Sequence, residues 1–434
     1  MGLFGSSGVR GVINKEFTPE LAANIGMAVG SSVKCAAIGN DSRTSGPMIE
    51  AAVCSGLMAA GCDVFVAGLV TTPTLAEAAR TMNCGVMITA SHNPPSYGGI
   101  KLCNPDGSGF GVEQSMAIEK LVETRKFKLQ TWDKVGKRHP LPEAIDNHIY
   151  RILAGVGKSK LKIVVDCANG PASTVTPIVL QRMGCKVITI NSNPDGHFPG
   201  RPPEPSDENL TDLKHAVVAM KADIGIAHDG DADRMVAIDD KGAFFGGDQL
   251  LALFAKRYAK KKLVVTVDAS MAIDDYVDAK VIRTRVGDVF VSDAVKNTKA
   301  EFGGEPSGTW IFPDQTYCPD GILAAARICE IVARTKLSEL RKKIPAYPIL
   351  RSAVSFDAKD KASVLKRLEK EMKSVDCDEL LTLDGFRLQF EDGWALVRPS
   401  GTEPKIRFLA EARTDKKAKE IMALVSKKVK GALK

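Results

Sequence analysis

Three stretches of the chain repeat the same order of elements, in which apolar strands alternate with helices. They cover residues 35–88, 161–234 and 262–310. Strand segments such as CDVFVAGL, LKIVVD and KLVVTV are rich in β-branched residues, which is typical of strands buried on both faces of a sheet. Helical segments of roughly ten to fifteen residues separate such strands in largely parallel sheets. The repeat therefore predicts three similar α/β domains with mixed, largely parallel sheets.

The last part of the chain has a different pattern. Only two helical segments accompany its strand-like segments, which are YPILRSAVSF, ELLTLDGFRLQF, WALVRPSG and KIRFLAEAR. This pattern predicts a smaller α+β domain. The 434 residues allow two to four domains at roughly 150 residues each. We therefore predict four domains, which cover residues 1–151, 152–244, 245–345 and 346–434.

Composition argues against several classes of protein. The sequence contains no apolar run long enough to span a membrane, and its N-terminus, MGLFGSSGVRG, lacks a signal-peptide pattern. The ten cysteines form no C-x-x-C pair, so we expect reduced thiols in the cytoplasm. A net charge of +7 is small for this length and aromatic residues make up only 6%, which argues against a nucleic-acid partner. We expect a monomer or a homodimer.

The first polar loop, TASHNPPSYGGIKL (89–102), follows the strand segment GVMIT. Ligands of open α/β sheets bind beyond the carboxyl ends of the strands, so we expect each domain to contribute one such loop to a common cleft. Ser91 stands where the strand stops and His92 follows it, while Lys101 can return to the same neighbourhood. A serine hydroxyl can accept and return a phosphoryl group beside a metal and a cation, and lysine or histidine can move the proton. An ordinary turn with an exposed serine is the alternative.

The second loop, HDGDADR (228–234), contains three alternating carboxylates. An extended backbone would place Asp229, Asp231 and Asp233 on one side, where they repel each other unless a cation neutralises them. Oxygen ligands of this kind suit Mg²⁺ or Ca²⁺. Arg234 occupies the position where an EF-hand needs glycine, so we exclude an EF-hand. We predict Mg²⁺ beside a phosphate, and a solvated acidic turn is the alternative.

The third loop, GGEPSGT (303–309), places Glu305 and Ser307 two residues apart. In an extended segment both side chains would point the same way, and the carboxylate could accept hydrogen bonds from two adjacent sugar hydroxyls. The glycines would let a ligand approach the backbone closely. A glycine-rich strand end without a ligand is the alternative.

The fourth loop, RPSGTEPKIR (398–407), combines cations with small polar residues. Arg398 and Arg407 supply planar, always charged donors. The hydroxyls of Ser400 and Thr402, with the backbone around Gly401, could form an anion nest. The loop lacks the G-K-[ST] ending of a nucleotide-binding P-loop, so it predicts binding of a phosphate monoester. A structural β-turn is the alternative.

Two shorter segments fit the same chemistry. SGVRG (7–11) holds Arg10 between glycines, and TRVGD (284–288) reads as a strand-to-helix junction. The backbone N–H groups around Gly287 could face an anion there, because a helix N-terminus favours negative charge.

The ordered set SGVRG, TASHNPP, DGDADR, GEPSGT and RPSGTEP resembles the α-D-phosphohexomutase superfamily across nearly the whole chain. The resemblance implies four domains around one cleft and an enzyme that moves a phosphoryl group within a hexose phosphate. TRVGDVFV and FGGEPSGTW are most similar to archaeal-type phosphoglucosamine mutases, which implies interconversion of glucosamine 6-phosphate and glucosamine 1-phosphate through a sugar bisphosphate. Thr309 departs from the histidine of bacterial phosphoglucosamine mutases. Phosphoglucomutase, phosphomannomutase and phosphopentomutase activities, and a non-catalytic sugar-phosphate-binding protein, are the alternatives.

The resemblance also implies a role for each motif. Ser91 would be the phosphoserine, and its phosphate would share Mg²⁺ with Asp229, Asp231 and Asp233. The residues for proton transfer and charge balance would be Lys101, His92 and Arg10. The substrate-binding residues would be Arg234, Gly287, Glu305, Ser307, Arg398, Ser400, Gly401, Thr402 and Arg407.

Overall fold

The fold is described by a computed structural model of the chain, which covers residues 2–5, 7–399 and 404–433. Its first sheet and the surrounding helices consist of β1 (Val9–Val12), α1 (Pro19–Gly30), β2 (Cys35–Asn40), α2 (Gly46–Ala59), β3 (Asp63–Leu69), α3 (Thr72–Ala78), β4 (Cys84–Ile88), β5 (Tyr97–Cys103), α4 (Val112–Thr124), β6 (Arg138–Pro140) and α5 (Ala144–Ala154). The strand order is β1-β5-β4-β2-β3-β6. Strand β2 pairs in parallel with β3 and β4, whereas β5 is antiparallel to β4.

The second and third sheets have shorter versions of the same arrangement. The second unit contains β7 (Lys162–Asp166), α6 (Thr176–Met183), β8 (Lys186–Ile190), α7 (Thr211–Ala219), β9 (Ile224–His228), β10 (Met235–Ile238) and β11 (Phe244–Phe245). The third contains α8 (Gly247–Tyr258), β12 (Lys262–Thr266), α9 (Ala272–Tyr276), β13 (Lys280–Thr284), α10 (Asp288–Thr298), β14 (Phe302–Glu305), β15 (Thr309–Ile311), α11 (Gly321–Val332) and α12 (Leu337–Arg341). Their strand orders are β11-β10-β9-β7-β8 and β13-β12-β14-β15.

The fourth unit is an antiparallel sheet covered on one face by helices. It contains β16 (Ile349–Ser355), α13 (Lys361–Lys373), β17 (Glu379–Leu381), β18 (Phe386–Phe390), β19 (Gly393–Pro399), β20 (Lys405–Ala412) and α14 (Asp415–Ala432), with the order β16-β20-β19-β18-β17. Helices α13 and α14 pack together on this sheet. The prediction of three α/β units and a smaller α+β unit is confirmed.

The three α/β sheets share one feature that positions the polar loops. In each sheet a central strand is followed directly by an antiparallel neighbour, in the pairs β4–β5, β9–β10 and β14–β15. The predicted loops are the connections within these pairs. The sheets are therefore mixed, as predicted. A parallel pairing of the two strands around each loop would need a crossover of a dozen or more residues, whereas these connections are shorter.

The cores show how the units are joined. One continuous apolar cluster covers the second and third units and includes Ile149 and Ile152 of α5, whereas the first and fourth units have cores of their own. A small cluster that includes Val267 and Trp394 joins the third unit to the fourth. The predicted domain boundary after residue 151 lies within α5, and the one after residue 244 lies within β11. The domain boundaries stay predictions. Within the described ranges, no helix is both long and apolar enough to cross a membrane.

Candidate functional site

Ser91 lies immediately beyond β4 and is almost completely buried. Its backbone is left-handed, with φ of 51°, a conformation that is costly for a residue with a side chain. The Ser91 N–H donates to Thr89 Oγ1 at 2.8 Å, and its hydroxyl donates to Asp229 Oδ2 at 2.6 Å. A ring nitrogen of His92, Nδ1, is 3.3 Å from the same hydroxyl oxygen. The structure thus brings a serine hydroxyl from the first unit onto a carboxylate from the second.

The three aspartates of the second loop converge as the sequence predicted, but for another reason. Asp229, Asp231 and Asp233 are buried, and each offers an oxygen within 4.8 Å of the others. The loop is a turn and not an extended segment, because Ala232 adopts a left-handed φ of 59°. The turn, and not the alternation of side chains along a strand, places the carboxylates together.

Lys101, on β5, supplies positive charge to this cluster. Its Nζ donates to Asp231 Oδ2 at 2.7 Å and also to Asp233 Oδ2. Burial alone would lower the pKa of Lys101, but the two carboxylates more than offset this effect, and the pKa is raised above its ordinary value. Burial, with repulsion from Asp231 and Asp233, raises the pKa of Asp229 well above its usual range. The ionised form of Asp229 therefore requires more positive charge than Lys101 alone supplies to this cluster.

The residues present fit a bound Mg²⁺. Oδ1 of Asp231 and Oδ1 of Asp233 are buried and have no hydrogen-bond partner among the described residues, and a buried acceptor without a partner is costly. The second oxygen of Asp231 accepts from Thr72 Oγ1 at 2.6 Å, which fixes the direction of the first. An oxygen-only donor set suits a hard cation such as Mg²⁺.

The third loop is a tight turn between β14 and β15, with Gly308 at φ of 94°. Ser307 Oγ donates to Glu305 Oε2 at 2.9 Å and lies 3.3 Å from Thr309 Oγ1. The backbone N–H of Gly287 donates to the other Glu305 oxygen at 2.7 Å. Glu305 and Ser307 are therefore neighbours through a turn, and Gly287 directs its N–H at a protein carboxylate.

Glu305 has a strongly perturbed acidity. Burial raises its pKa to about 7, and the carboxylates of Asp288 and Asp268 add to the rise, while Ser307 and Arg234 oppose it. A positively charged group bound beside Glu305 would favour its ionised form and lower this pKa. The loop is consequently suited to a ligand that brings hydrogen-bond donors or positive charge.

We expect the raised pKa of Glu305 to make the protein less stable as the pH rises from 4.5 to about 7. In that interval the unfolded chain releases the proton and the folded protein keeps it, so the free energy of unfolding falls by about 3 kcal/mol and then levels off. Thermal midpoints of the parent and Glu305→Gln should be compared across the interval. The parent should lose stability relative to the variant, and a constant difference would contradict the raised pKa.

A cavity of about 390 Å³ lies where the first three units meet. The predicted site residues that line it are Arg10, Ser91, His92, Asp233, Arg234, Gly287, Glu305 and Ser307. The Arg10 side chain enters the cavity while donating to Asn93 Oδ1 at 3.0 Å. Arg234 pairs with Glu204 across 3.4 Å. The cavity therefore joins the serine, the acidic cluster and the third loop in one space.

The fourth unit carries a second cavity of about 480 Å³ at its junction with the third. Arg398 and Arg407 are opposite each other on β19 and β20 and both line this cavity. Arg398 also pairs with Asp384 at 3.1 Å. The predicted nest residues Ser400, Gly401 and Thr402 lie outside the described residues.

Several polar residues of these cavities and of the acidic cluster were not predicted. Arg351 and Lys405 line the second cavity, Asp288 lines the first, and Thr72 holds Asp231. Asp288 could have been predicted from the sequence, because it is the last residue of the TRVGD segment. Arg351 gave no signal, since its position depends on the pairing of β16 with β20.

Family models match the chain in four consecutive segments. The models describe phosphoglucomutase/phosphomannomutase α/β/α domains I, II and III and the C-terminal domain, and they match residues 1–129, 143–242, 246–347 and 352–428.

Individual relatives extend this comparison. A protein of Methanosarcina acetivorans named "Probable phosphoglucosamine mutase" is 53% identical, with 100% of each chain covered. A phosphoglucomutase/phosphomannomutase family protein of Burkholderia thailandensis has a solved structure with a TM-score of 0.89 and 28% identity, over 99% of this chain and 97% of that one. The N-acetylphosphoglucosamine mutase of Aspergillus fumigatus, solved with GlcNAc-6P and magnesium, shares the fold at a TM-score of 0.60 and 16% identity, over 99% of this chain and 96% of that one.

Proposed function

Because this chain belongs to the phosphoglucomutase/phosphomannomutase family, we propose that it interconverts glucosamine 6-phosphate and glucosamine 1-phosphate. The observation that carries the proposal is the 2.6 Å hydrogen bond from Ser91 Oγ to Asp229, within a cluster of three buried carboxylates. A hydroxyl that can carry a phosphoryl group, beside carboxylates that would hold a metal, is an arrangement that a protein that only binds sugar phosphates does not need. The full-length relative named for phosphoglucosamine supports the choice of sugar.

The reaction consists of two transfers in opposite directions. In the first, the bond between phosphorus and Ser91 Oγ breaks and a bond to the free sugar hydroxyl forms, which gives a sugar bisphosphate. The sugar hydroxyl loses its proton, and we propose that His92 receives it, because its Nδ1 is 3.3 Å from Ser91 Oγ. Burial and the nearby cations Arg234 and Arg10 lower the pKa of His92, so the ring is in the neutral form that can accept a proton. After the bisphosphate has turned around, Ser91 recovers the other phosphate and the proton returns to the sugar oxygen.

Charge balance in this site falls to the three aspartates and the nearby cations. Asp229, Asp231 and Asp233 would hold Mg²⁺ together with an oxygen of phosphorylated Ser91. When bound, Mg²⁺ would supply a Lewis acid for the phosphoryl oxygens. Lys101 stays close to the same carboxylates, and Arg10 can contact a phosphoryl group from the cavity wall.

The phosphate that is not transferred would bind in the fourth unit. Arg398, Arg407 and Arg351 line one cavity there, and arginine is well suited to phosphate because of its planar fork of donors. The predicted nest residues Ser400, Gly401 and Thr402 would complete this site. The same cations must bind the phosphate at either end of the sugar, because the bisphosphate intermediate turns around between the two transfers.

Sugar recognition would come from the turn between β14 and β15. Glu305 accepts from Ser307 and from the Gly287 backbone, and a carboxylate oxygen has capacity for a further donor. A protonated sugar amine would form a charge-assisted bond, which is roughly twice as strong as a neutral one. Thr309 carries no charge, so a hydroxyl can also be accommodated beside it.

We expect glucosamine 6-phosphate to have the highest specificity constant, about tenfold above glucose 6-phosphate. A coupled assay should compare glucosamine, glucose, mannose and ribose phosphates. Glu305→Gln should remove most of the preference for glucosamine 6-phosphate. Glu301→Gln, the same change at the residue that precedes β14, should preserve it. A preference for mannose or ribose phosphate would overturn the choice of sugar and leave the mutase proposal standing.

We also propose a cytoplasmic location for the protein. All of its cysteines are free thiols, which supports a reducing compartment.

A further inference from the structure

The guanidinium of Arg43 binds four backbone carbonyls of the loop that carries Ser91. Arg43 is only 3% exposed and lies just after β2, which pairs in parallel with β4. Arginine has five N–H donors in its side chain. All five are used, from Nε to Asp41 Oδ2 (3.2 Å), from Nη1 to the carbonyls of Pro94 (2.6 Å) and Tyr97 (3.0 Å), and from Nη2 to those of Ser91 (2.8 Å) and Asn93 (2.6 Å).

These bonds act on the residue whose backbone is strained. Ser91 is left-handed, and such a conformation persists only where surrounding contacts enforce it. Its carbonyl is bound by Arg43, and its N–H is bound by Thr89, whose own hydroxyl donates to Asp41 at 2.6 Å. Asp41 and Arg43 thus hold the peptide groups on both sides of Ser91.

The same clamp also contacts the second unit. The Arg43 guanidinium lies 5.2 Å from the ring centroid of Phe198. Gly196 approaches so closely that a Cβ there would come within 2.7 Å of the Arg43 Cα. On the other side, a Cβ at Gly230 would lie 2.6 Å from the Ser91 carbonyl oxygen. The serine loop is therefore held between Arg43 and the loop that carries the aspartates.

We infer that Arg43 is a positioning residue, which holds Ser91 in the left-handed conformation that directs its hydroxyl at Asp229. The inference rests on the proposed function, because it assumes that Ser91 transfers the phosphoryl group. Lysine cannot replace the clamp, since its single ammonium offers three donors from one point and not a planar fork. Loss of the fork should move the hydroxyl and slow the transfer, with little effect on substrate binding.

Arg43→Lys keeps the charge and tests the fork. We expect kcat to fall by roughly 100-fold, as for a displacement of about 1 Å, while KM changes by less than about threefold. The rate at which phosphorylated enzyme transfers its phosphate to glucosamine 6-phosphate should fall with kcat. The matched control is Arg327→Lys, because Arg327 is equally buried but contacts Asp314 and the rings of Tyr258 and Phe312. The control should lower the thermal midpoint and leave kcat close to that of the parent.

Asp41→Asn is the second variant, which weakens the clamp without changing Arg43 and decides the question if Arg43→Lys does not fold. It should lower kcat in the same selective way, by a smaller factor. A folded variant with parental kcat, or a loss of kcat matched by the Arg327 control, would overturn the inference. Peptide mapping of the parent after incubation with glucosamine 1,6-bisphosphate separates the two proposals. A parent without phosphate on Ser91 removes the proposed function, whereas a phosphorylated parent and an unaffected Arg43→Lys remove only the role of Arg43.

Discussion

Ser91→Ala is expected to lower kcat by roughly 10⁴-fold or more, which is the size of effect seen when a nucleophile is removed from a catalytic unit. The Ser91 hydroxyl contacts the acidic cluster, at 2.6 Å from Asp229, and Ser91 also lines the first cavity. Its removal takes away the hydroxyl beside Asp229 that would receive the phosphoryl group, and the neighbouring cations cannot form a stable ester. Substrate binding should persist, because Glu305 and the arginines of the fourth unit are unchanged.

The measurement combines kinetics with intact-protein mass and peptide mapping after incubation with glucosamine 1,6-bisphosphate. The parent should gain one phosphate on Ser91 and the variant none. Ser96→Ala is the matched control, since Ser96 is exposed on the same loop, and it should behave like the parent. Full turnover by Ser91→Ala, or a phosphate found only at another residue of the parent, would show that a different group carries the phosphoryl transfer.

The sequence predicted the polar loops well because residue type alone carries most of their signal. Three carboxylates within five residues repel each other in most backbone conformations, which is why the sequence predicted a cation beside Asp229, Asp231 and Asp233. In the structure these carboxylates converge because of the turn at Ala232. The alternation of strands and helices similarly predicted the α/β units. It could not predict that each site loop joins an antiparallel pair, because that depends on the short return of the chain after the loop.

Other parts of the site depend on contacts between distant segments. Arg43 precedes Ser91 by 48 residues and reaches it only because β2 and β4 lie side by side. Arg351 enters the second cavity through the pairing of β16 with β20. For Gly287 the local pattern was misleading. Its N–H at the start of a helix was expected to face a ligand, but it donates to the buried carboxylate of Glu305 on β14. Local patterns do not contain such pairings, since strand order determines them.

Asp231→Asn is expected to remove the response to Mg²⁺ and to lower turnover by about 10³-fold. A Lewis-acidic metal contributes several kcal/mol to the stabilisation of the transition state, and each 1.4 kcal/mol corresponds to a factor of about ten. Asp231 is the sharpest test of the cluster, because Thr72 and Lys101 bind its Oδ2 and leave the buried Oδ1 without a hydrogen-bond partner among the described residues. An amide at this position keeps the shape but withdraws the negative charge that a divalent cation requires.

Thermal midpoints measured with and without Mg²⁺ provide a readout that does not depend on activity. A ligand that binds only the folded state stabilises it, by about 2.7 kcal/mol at a concentration a hundred times its Kd. The parent should therefore melt at a higher temperature with Mg²⁺, and Asp231→Asn should not. Asp212→Asn makes the same change of charge at an exposed position on α7 and should keep the parental response. Chelation should stop the parent and added Mg²⁺ should restore it, whereas undiminished turnover after thorough chelation would exclude a metal from the three carboxylates during the reaction.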